Sequence, residues 1–157
     1  MQGLLKRTVG ERMAETTDTQ QQIQQVGVLV VTHGEFGAAL LDAAQMILGP
    51  QVGILAVSVL VSRGVDEIVA DLKVGLSSLE TGLGVLVLTD LFGGTPTTLS
   101  LSLRKAGNIE VVAGVNLPML LKALQSRKGT LAELAAQAKA AGVQGIVVPS
   151  EMLRKKG

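Results

Sequence analysis

Val26-Gly27-Val28-Leu29-Val30-Val31-Thr32-His33-Gly34 is the stretch that decides the fold. Val26 to Val31 form a short unbroken apolar run, as a strand covered on both faces requires. Thr32-His33-Gly34 closes the run with polar and small residues. Phe36, Ala39, Leu40, Ala43, Ala44 and Ile47 then recur at helical spacing until Gly49-Pro50 stops the helix. The same alternation repeats downstream. Ile54 to Val61 reads as a second strand, and Val65, Ile68, Val69, Leu72, Leu76 and Leu79 line one face of a helix. Asp66 and Glu67 suit the positive end of that helix's dipole. Gly84 to Leu88 reads as a third strand, ending at Thr89-Asp90. Thr95-Pro96 then supplies an N-cap and a first-turn proline for a helix to about Lys105, with Gly107 as its closing glycine.

Further on, Ile109 to Ala113 is a fourth strand and Leu117 to Gln125 a short helix. Thr130 and Glu133 have the spacing of a capping box, opening a helix to about Ala141. Ile146-Val147-Val148, before Pro149, reads as a last short strand. Strand and helix alternate throughout, which predicts an α/β protein: a mainly parallel open sheet with right-handed crossovers and helices on both faces. Residues 1–25 are polar and of low complexity and read as a flexible leader, in which Met13 is an alternative start. The folded domain is expected over residues 26–149. Residues 150–157, with Arg154-Lys155-Lys156, read as a solvated tail.

Composition narrows the function classes. Of 157 residues, 47% are apolar and 17% charged, which excludes a disordered chain. Two Phe are the only aromatic residues, so the base-stacking platforms of nucleic-acid folds are missing. A net charge of +1 gives no strong pull toward nucleic acid or an anionic membrane. With no Cys and one His, thiol catalysis, thiolate metal sites and His-rich metal sites are excluded, and no metal or other cofactor is expected. No apolar run reaches the roughly 18–20 residues that span a bilayer, and the polar N-terminus is no signal peptide. The expectation is a soluble, cytoplasmic protein.

In open α/β sheets ligands bind beyond the carboxyl ends of the strands, near the point where strand order reverses. Thr32-His33-Gly34, Ser62-Arg63-Gly64 and Thr89-Asp90 occupy such ends. In a sheet ordered 2-1-3-4, strands one and three are neighbours, and His33 and Asp90 meet in one crevice. A carboxylate that accepts the proton of one ring nitrogen fixes the tautomer and leaves the other nitrogen's lone pair free. Such an imidazole can act as a nucleophile toward phosphorus. Thr32 and Gly34, which flank it, are secondary candidates. Gly93 and Gly94 let backbone approach an anion ahead of a helix N-terminus, and the Thr95 hydroxyl can add a donor; the alternative for this segment is an ordinary turn. Arg63 is a phosphate contact or a solvated side chain. Asn116 lines the site or starts the next helix.

Three segments together carry a family resemblance. Val-Thr-His-Gly (31–34), Leu-Thr-Asp-Leu-Phe-Gly-Gly-Thr-Pro (88–96) and Val-Val-Ala-Gly-Val-Asn-Leu-Pro-Met (111–119) resemble the mannose-family IIA domains of the bacterial sugar phosphotransferase system, in order and spacing. The likeness covers about Val26 to Val148. It implies that His33 takes phosphate from the phosphocarrier protein HPr and gives it to a IIB component, which serves the membrane IIC and IID components. It further implies that Asp90 orients the ring, that Thr95 lies near the phosphate with the loop amides, and that the protein is a homodimer exchanging Ile146-Val147-Val148 between subunits. Phe92 stands where some members carry Trp, a change at the partner surface. No IIB domain follows, so the acceptor is expected to be a separate protein.

Two other functions fit the same residues. One is the phosphoryl-donor subunit of a dihydroxyacetone kinase, and the other is a regulatory module controlled by phosphorylation of His33. A metal-free hydrolase is disfavoured, because no serine sits on an elbow motif.

Overall fold

The computed structural model describes residues 24–154; most of the expected leader and the last three residues of the expected tail lie outside that range. The sheet is built from β1 (Gly27–His33), β2 (Ile54–Val59), β3 (Val85–Thr89) and β4 (Ile109–Ala113). Its order is β2-β1-β3-β4 and all pairings are parallel, as expected from the sequence. Helices α1 (Phe36–Leu48), α2 (Val65–Leu79), α3 (Thr95–Ser102), α4 (Leu117–Gln125), α5 (Leu131–Gln144) and α6 (Pro149–Arg154) complete it.

Alternation along β1 shows how the two faces are divided. Val28 and Val30 join Leu86 and Leu88 under α1, α4 and α5, against Leu40, Leu41, Leu120 and Leu134. Leu29 and Val31 point the other way, with Val87, onto Ile68 and Leu72 of α2. A central strand buried on both sides has no polar face, which is why its sequence is a continuous apolar run. Each fully buried Leu contributes about 1.5–3 kcal/mol relative to an exposed one. Leu29, Leu86 and Leu88 therefore make the middle of the sheet its most stable part.

Five local expectations need correction. β2 ends at Val59 and not Val61, because its neighbour β1 ends opposite it at His33 and leaves nothing to pair with. α3 stops at Ser102, and a separate 3-10 turn covers Arg104–Ala106. Gly107 has φ −162°, extended backbone that any residue adopts, so it is no left-handed helix cap. Ile146–Val148 forms no strand within this chain; the three side chains are exposed between α5 and α6. An apolar, β-branched run makes a strand only where a partner edge is in reach, and here the segment joins no sheet of its own chain. α6 also crosses the boundary at which a tail was expected.

The capping box at α5 is present. The Thr130 hydroxyl accepts from the Glu133 amide, and the Glu133 carboxylate accepts from the Thr130 amide at 2.9 Å. Hydrogen bonding to that amide and hydroxyl holds the Glu133 carboxyl below its usual range.

Candidate functional site

β1 and β3 lie side by side, so their carboxyl ends bring His33 and Asp90 together although 57 positions separate them. One oxygen of Asp90 does two things. Oδ2 accepts the His33 backbone N–H at 2.8 Å and sits 2.9 Å from His33 Nδ1. Because the carboxylate can only accept, the proton of the ring resides on Nδ1 and the lone pair on Nε2. The imidazole is 48% exposed, while the Asp90 side chain is largely covered at 17%. Burial works to raise the Asp90 carboxyl, but the His33 backbone and ring donors and the partial charge of the ring outweigh it. The acid is held below its ordinary value and is a carboxylate at neutral pH. Its second oxygen, Oδ1, is buried without a hydrogen-bond partner among the described residues.

Gly94 stands directly over the free side of the ring. A Cβ placed on it would lie 2.9 Å from His33 Cε1 and 3.6 Å from Nε2, so only glycine leaves the imidazole its place. Gly93 supplies the turn before it, with φ +81°. Gly94, and not Thr95, is the residue that caps α3, and Thr95 is already helical and exposed. The expected side-chain cap is therefore absent, and the Thr95 hydroxyl is not engaged by its own helix. Gly94's N–H closes the loop onto the Leu91 carbonyl at 3.2 Å. The N–H of Thr95, in the first turn of α3, has no carbonyl partner within the helix.

The other candidates separate clearly. Thr32 is fully buried, and its hydroxyl accepts the Gly37 amide at 2.7 Å, which fixes the start of α1 and leaves nothing for a ligand. Gly34 takes φ +55° in the turn after His33. Phe92, at 81% exposure, projects from the loop with Leu91 beside it. Arg63 is held by carboxylates. It pairs with Asp71 at 2.6 Å and Glu67 at 3.5 Å, both on α2, and its guanidinium is held above its usual value first by the Asp71 hydrogen bond. Asn116 caps α4 by accepting from the Met119 amide, and it donates to the Gly142 carbonyl at 3.0 Å. Its role is to tie α4 to α5.

Thr97 had no signal in the sequence, and Thr89 stood out only as a polar residue at a strand end. Thr97 and Thr89 are both buried, with their hydroxyl oxygens 2.7 Å apart, and Thr97 donates to the Leu91 carbonyl at 2.6 Å. A contact across a loop between two threonines eight positions apart leaves no periodic trace.

The arrangement can hold a neutral imidazole with one nitrogen aimed outward, beside an exposed helix N-terminus suited to an anion. Comparison with known proteins points the same way. Residues 27–141 match the family described as the PTS system fructose IIA component, EIIA-man. The fructose-specific EIIA component of the phosphotransferase system of Bacillus subtilis is 33% identical over 132 residues, 83% of this chain and 90% of that one. The mannose-specific EIIAB component of Escherichia coli K12 is 32% identical over 124 residues, 77% of this chain and 38% of the longer protein. Among solved structures, an EIIA component from Streptococcus agalactiae superposes with a TM-score of 0.74 at 27% identity, covering 80% of this chain and 98% of that one. A mannose/sorbose-specific IIA subunit from Enterococcus faecalis superposes with a TM-score of 0.73 at 29% identity, covering 80% and 95%.

Proposed function

This chain belongs to the fructose/mannose IIA family of the phosphotransferase system, and on that premise we propose that it carries a phosphoryl group on Nε2 of His33. The observation that supports this most directly is the clamp of Asp90 Oδ2 on both the backbone and Nδ1 of His33, at 2.8 and 2.9 Å. A clamped ring has lost its rotational freedom before the donor arrives, so the entropy of aligning it is not part of the barrier. The donor is the phosphohistidine of HPr. The Nε2 lone pair forms the new P–N bond while the bond to the HPr imidazole breaks and its electron pair returns to that ring. Nδ1 keeps its proton throughout, and Asp90 compensates the positive charge that builds on the imidazole during attack. Onward transfer repeats the exchange with a group on a IIB component as attacking partner.

The transferring phosphoryl bears its charge on equatorial oxygens. The Thr95 amide and hydroxyl, and the positive end of α3, are the donors on this side of the ring. Gly93 and Gly94 carry no side chain that would keep those oxygens away. Exposed Phe92 and Leu91 form an apolar rim fitted to a docking protein. Exposed Ile146, Val147 and Val148 support a homodimer in which this segment pairs with a second copy of the chain. No helix among the described residues is long and apolar enough to cross a membrane, and the site of action we infer is the cytoplasm, where phospho-HPr is made.

The test is transfer from phosphoenolpyruvate through the general phosphotransferase enzyme and HPr. Acid-labile phosphate should accumulate on the protein and be absent from His33→Ala. Label that persists in His33→Ala removes His33 from the reaction. Subsequent transfer to a IIB protein, and not to a kinase nucleotide-bearing subunit, identifies the acceptor class.

A further inference from the structure

Thr97 is 2% exposed and sits in the first turn of α3. Its hydroxyl is 2.6 Å from the Leu91 carbonyl oxygen and 2.7 Å from Thr89 Oγ1. A carbonyl can only accept, so the Thr97 proton goes to Leu91, and Thr97 Oγ1 accepts the proton of Thr89. The two hydroxyls thus form a directed chain from the last residue of β3, next to Asp90, to the first carbonyl of the glycine loop. That carbonyl also takes the Gly94 N–H at 3.2 Å, and the Gly94 carbonyl takes the Thr98 N–H at 3.0 Å. Leu91 O is consequently the point on which the four-residue turn closes.

We propose that Thr97, relayed by Thr89, is a positioning residue for phosphoryl transfer: it sets the loop 91–94, and with it the Thr95 amide, at a fixed height over Nε2 of His33. This rests on the function proposed above. The geometry leaves little tolerance, since a Cβ on Gly94 would already lie 2.9 Å from the ring. A loop that sagged toward the imidazole would cover Nε2, and one that lifted would withdraw the Thr95 donors from the phosphoryl oxygens. Thr97 touches neither the phosphoryl group nor the ring, so it acts only through the loop. The chemical step is unchanged: one P–N bond forms at Nε2 as the P–N bond to the donor imidazole breaks, and no proton passes through the threonines.

The experiment measures the rate of His33 phosphorylation by phospho-HPr in the full-length wild type, Thr97→Val, Thr97→Ser and the double variant Thr89→Val/Thr97→Val. The double variant guards against misfolding, because it removes both partners of a buried hydrogen bond together and leaves no orphaned hydroxyl. Thr97→Val and the double variant should be slower by roughly tenfold, the scale of a misplaced donor, and Thr97→Ser should return to within about twofold of wild type. The phosphorus resonance of the phosphohistidine should shift in the valine variants and not in the serine variant. A merely structural threonine would lower the melting temperature and leave the rate per folded molecule and that resonance unaltered. Wild-type rates in both valine variants overturn the positioning role and leave the phosphoryl-carrier reading intact. Absence of phosphate on wild-type His33 overturns both.

Discussion

Two glycines at the amino end of the sheet and three at its carboxyl end stand in opposite surroundings. At the amino end, a Cβ on Gly27 would lie 2.6 Å from the Leu79 carbonyl oxygen, and one on Gly84 2.6 Å from the Asn108 backbone oxygen. At the carboxyl end, Gly34, Gly93 and Gly114 have positive φ and would meet nothing within 4 Å. The first group lets chain segments touch; the second lets the chain turn while keeping its surroundings open. Charges divide in the same way. At the amino end Arg127 is buried, its guanidinium donating to the carbonyls of Val52 and Gly53 at 2.6 and 3.3 Å. The carboxyl end holds Asp90, its carboxylate bonded to a half-exposed histidine. At one end of the sheet a charged side chain is buried by packing, and at the other a side chain faces outward.

If this division is sound, substitutions at the amino end cost stability and spare chemistry. Gly84→Ala forces a Cβ into the Asn108 backbone at φ +87° and should lower the unfolding free energy most, by about 3 kcal/mol, from overpacking added to left-handed strain. Urea titration measures this, and a phosphotransfer rate unchanged per folded molecule completes the prediction. Arg127→Met removes the donors to the β1–β2 approach and should cost about 2 kcal/mol, again with the transfer rate preserved. A stable Arg127→Met protein that transfers slowly would break the comparison.

The complementary variant is Gly94→Ala. Its backbone, φ −73° and ψ 166°, accepts any residue, so stability should stay within about 0.5 kcal/mol of wild type. The added methyl would lie 2.9 Å from the imidazole and 3.3 Å from the Leu91 carbonyl oxygen, and phosphorylation should slow by about tenfold, equivalent to about 1.4 kcal/mol of barrier. Equal rates for Gly94→Ala and wild type would show that the ring has room to move.

Much of this was legible beforehand, for identifiable reasons. A strand buried on both faces is written as a local apolar run, so β1 and β3 could be read from Val26–Val31 and Gly84–Leu88 alone. The α5 capping box depends on two residues three apart. Pairing of His33 with Asp90 followed once strand order was assumed, because the ends of neighbouring parallel strands must coincide. What the sequence left open was non-local. Ile146–Val148 has the residues of a strand, but pairing depends on which edge is in reach. Arg63 resembled the other strand-end polar groups, yet Glu67 and Asp71 lie four and eight positions on, one and two turns into α2, and claim it. Asn116 could have lined the site or capped α4, and only the positions of Met119 and Gly142 decide for the cap.

The smallest expected effect concerns acid. The Asp90 carboxyl is held below its ordinary value of 3.8 in the folded protein, so its bonds to His33 add stability that is fully present above that value. As pH falls through the lowered folded value, protonation removes it. As pH is lowered below 3.8, wild type should lose urea resistance relative to Asp90→Asn, and parallel curves would mean that the clamp adds nothing to folding.

The account turns on which nitrogen of His33 is left free. Phosphorylating the nitrogen-15-labelled protein through phospho-HPr and reading phosphorus–nitrogen coupling by NMR decides it. Coupling to Nε2, with Nδ1 still protonated against Asp90, is the predicted result. Coupling to Nδ1 would contradict the clamp as the basis of the chemistry.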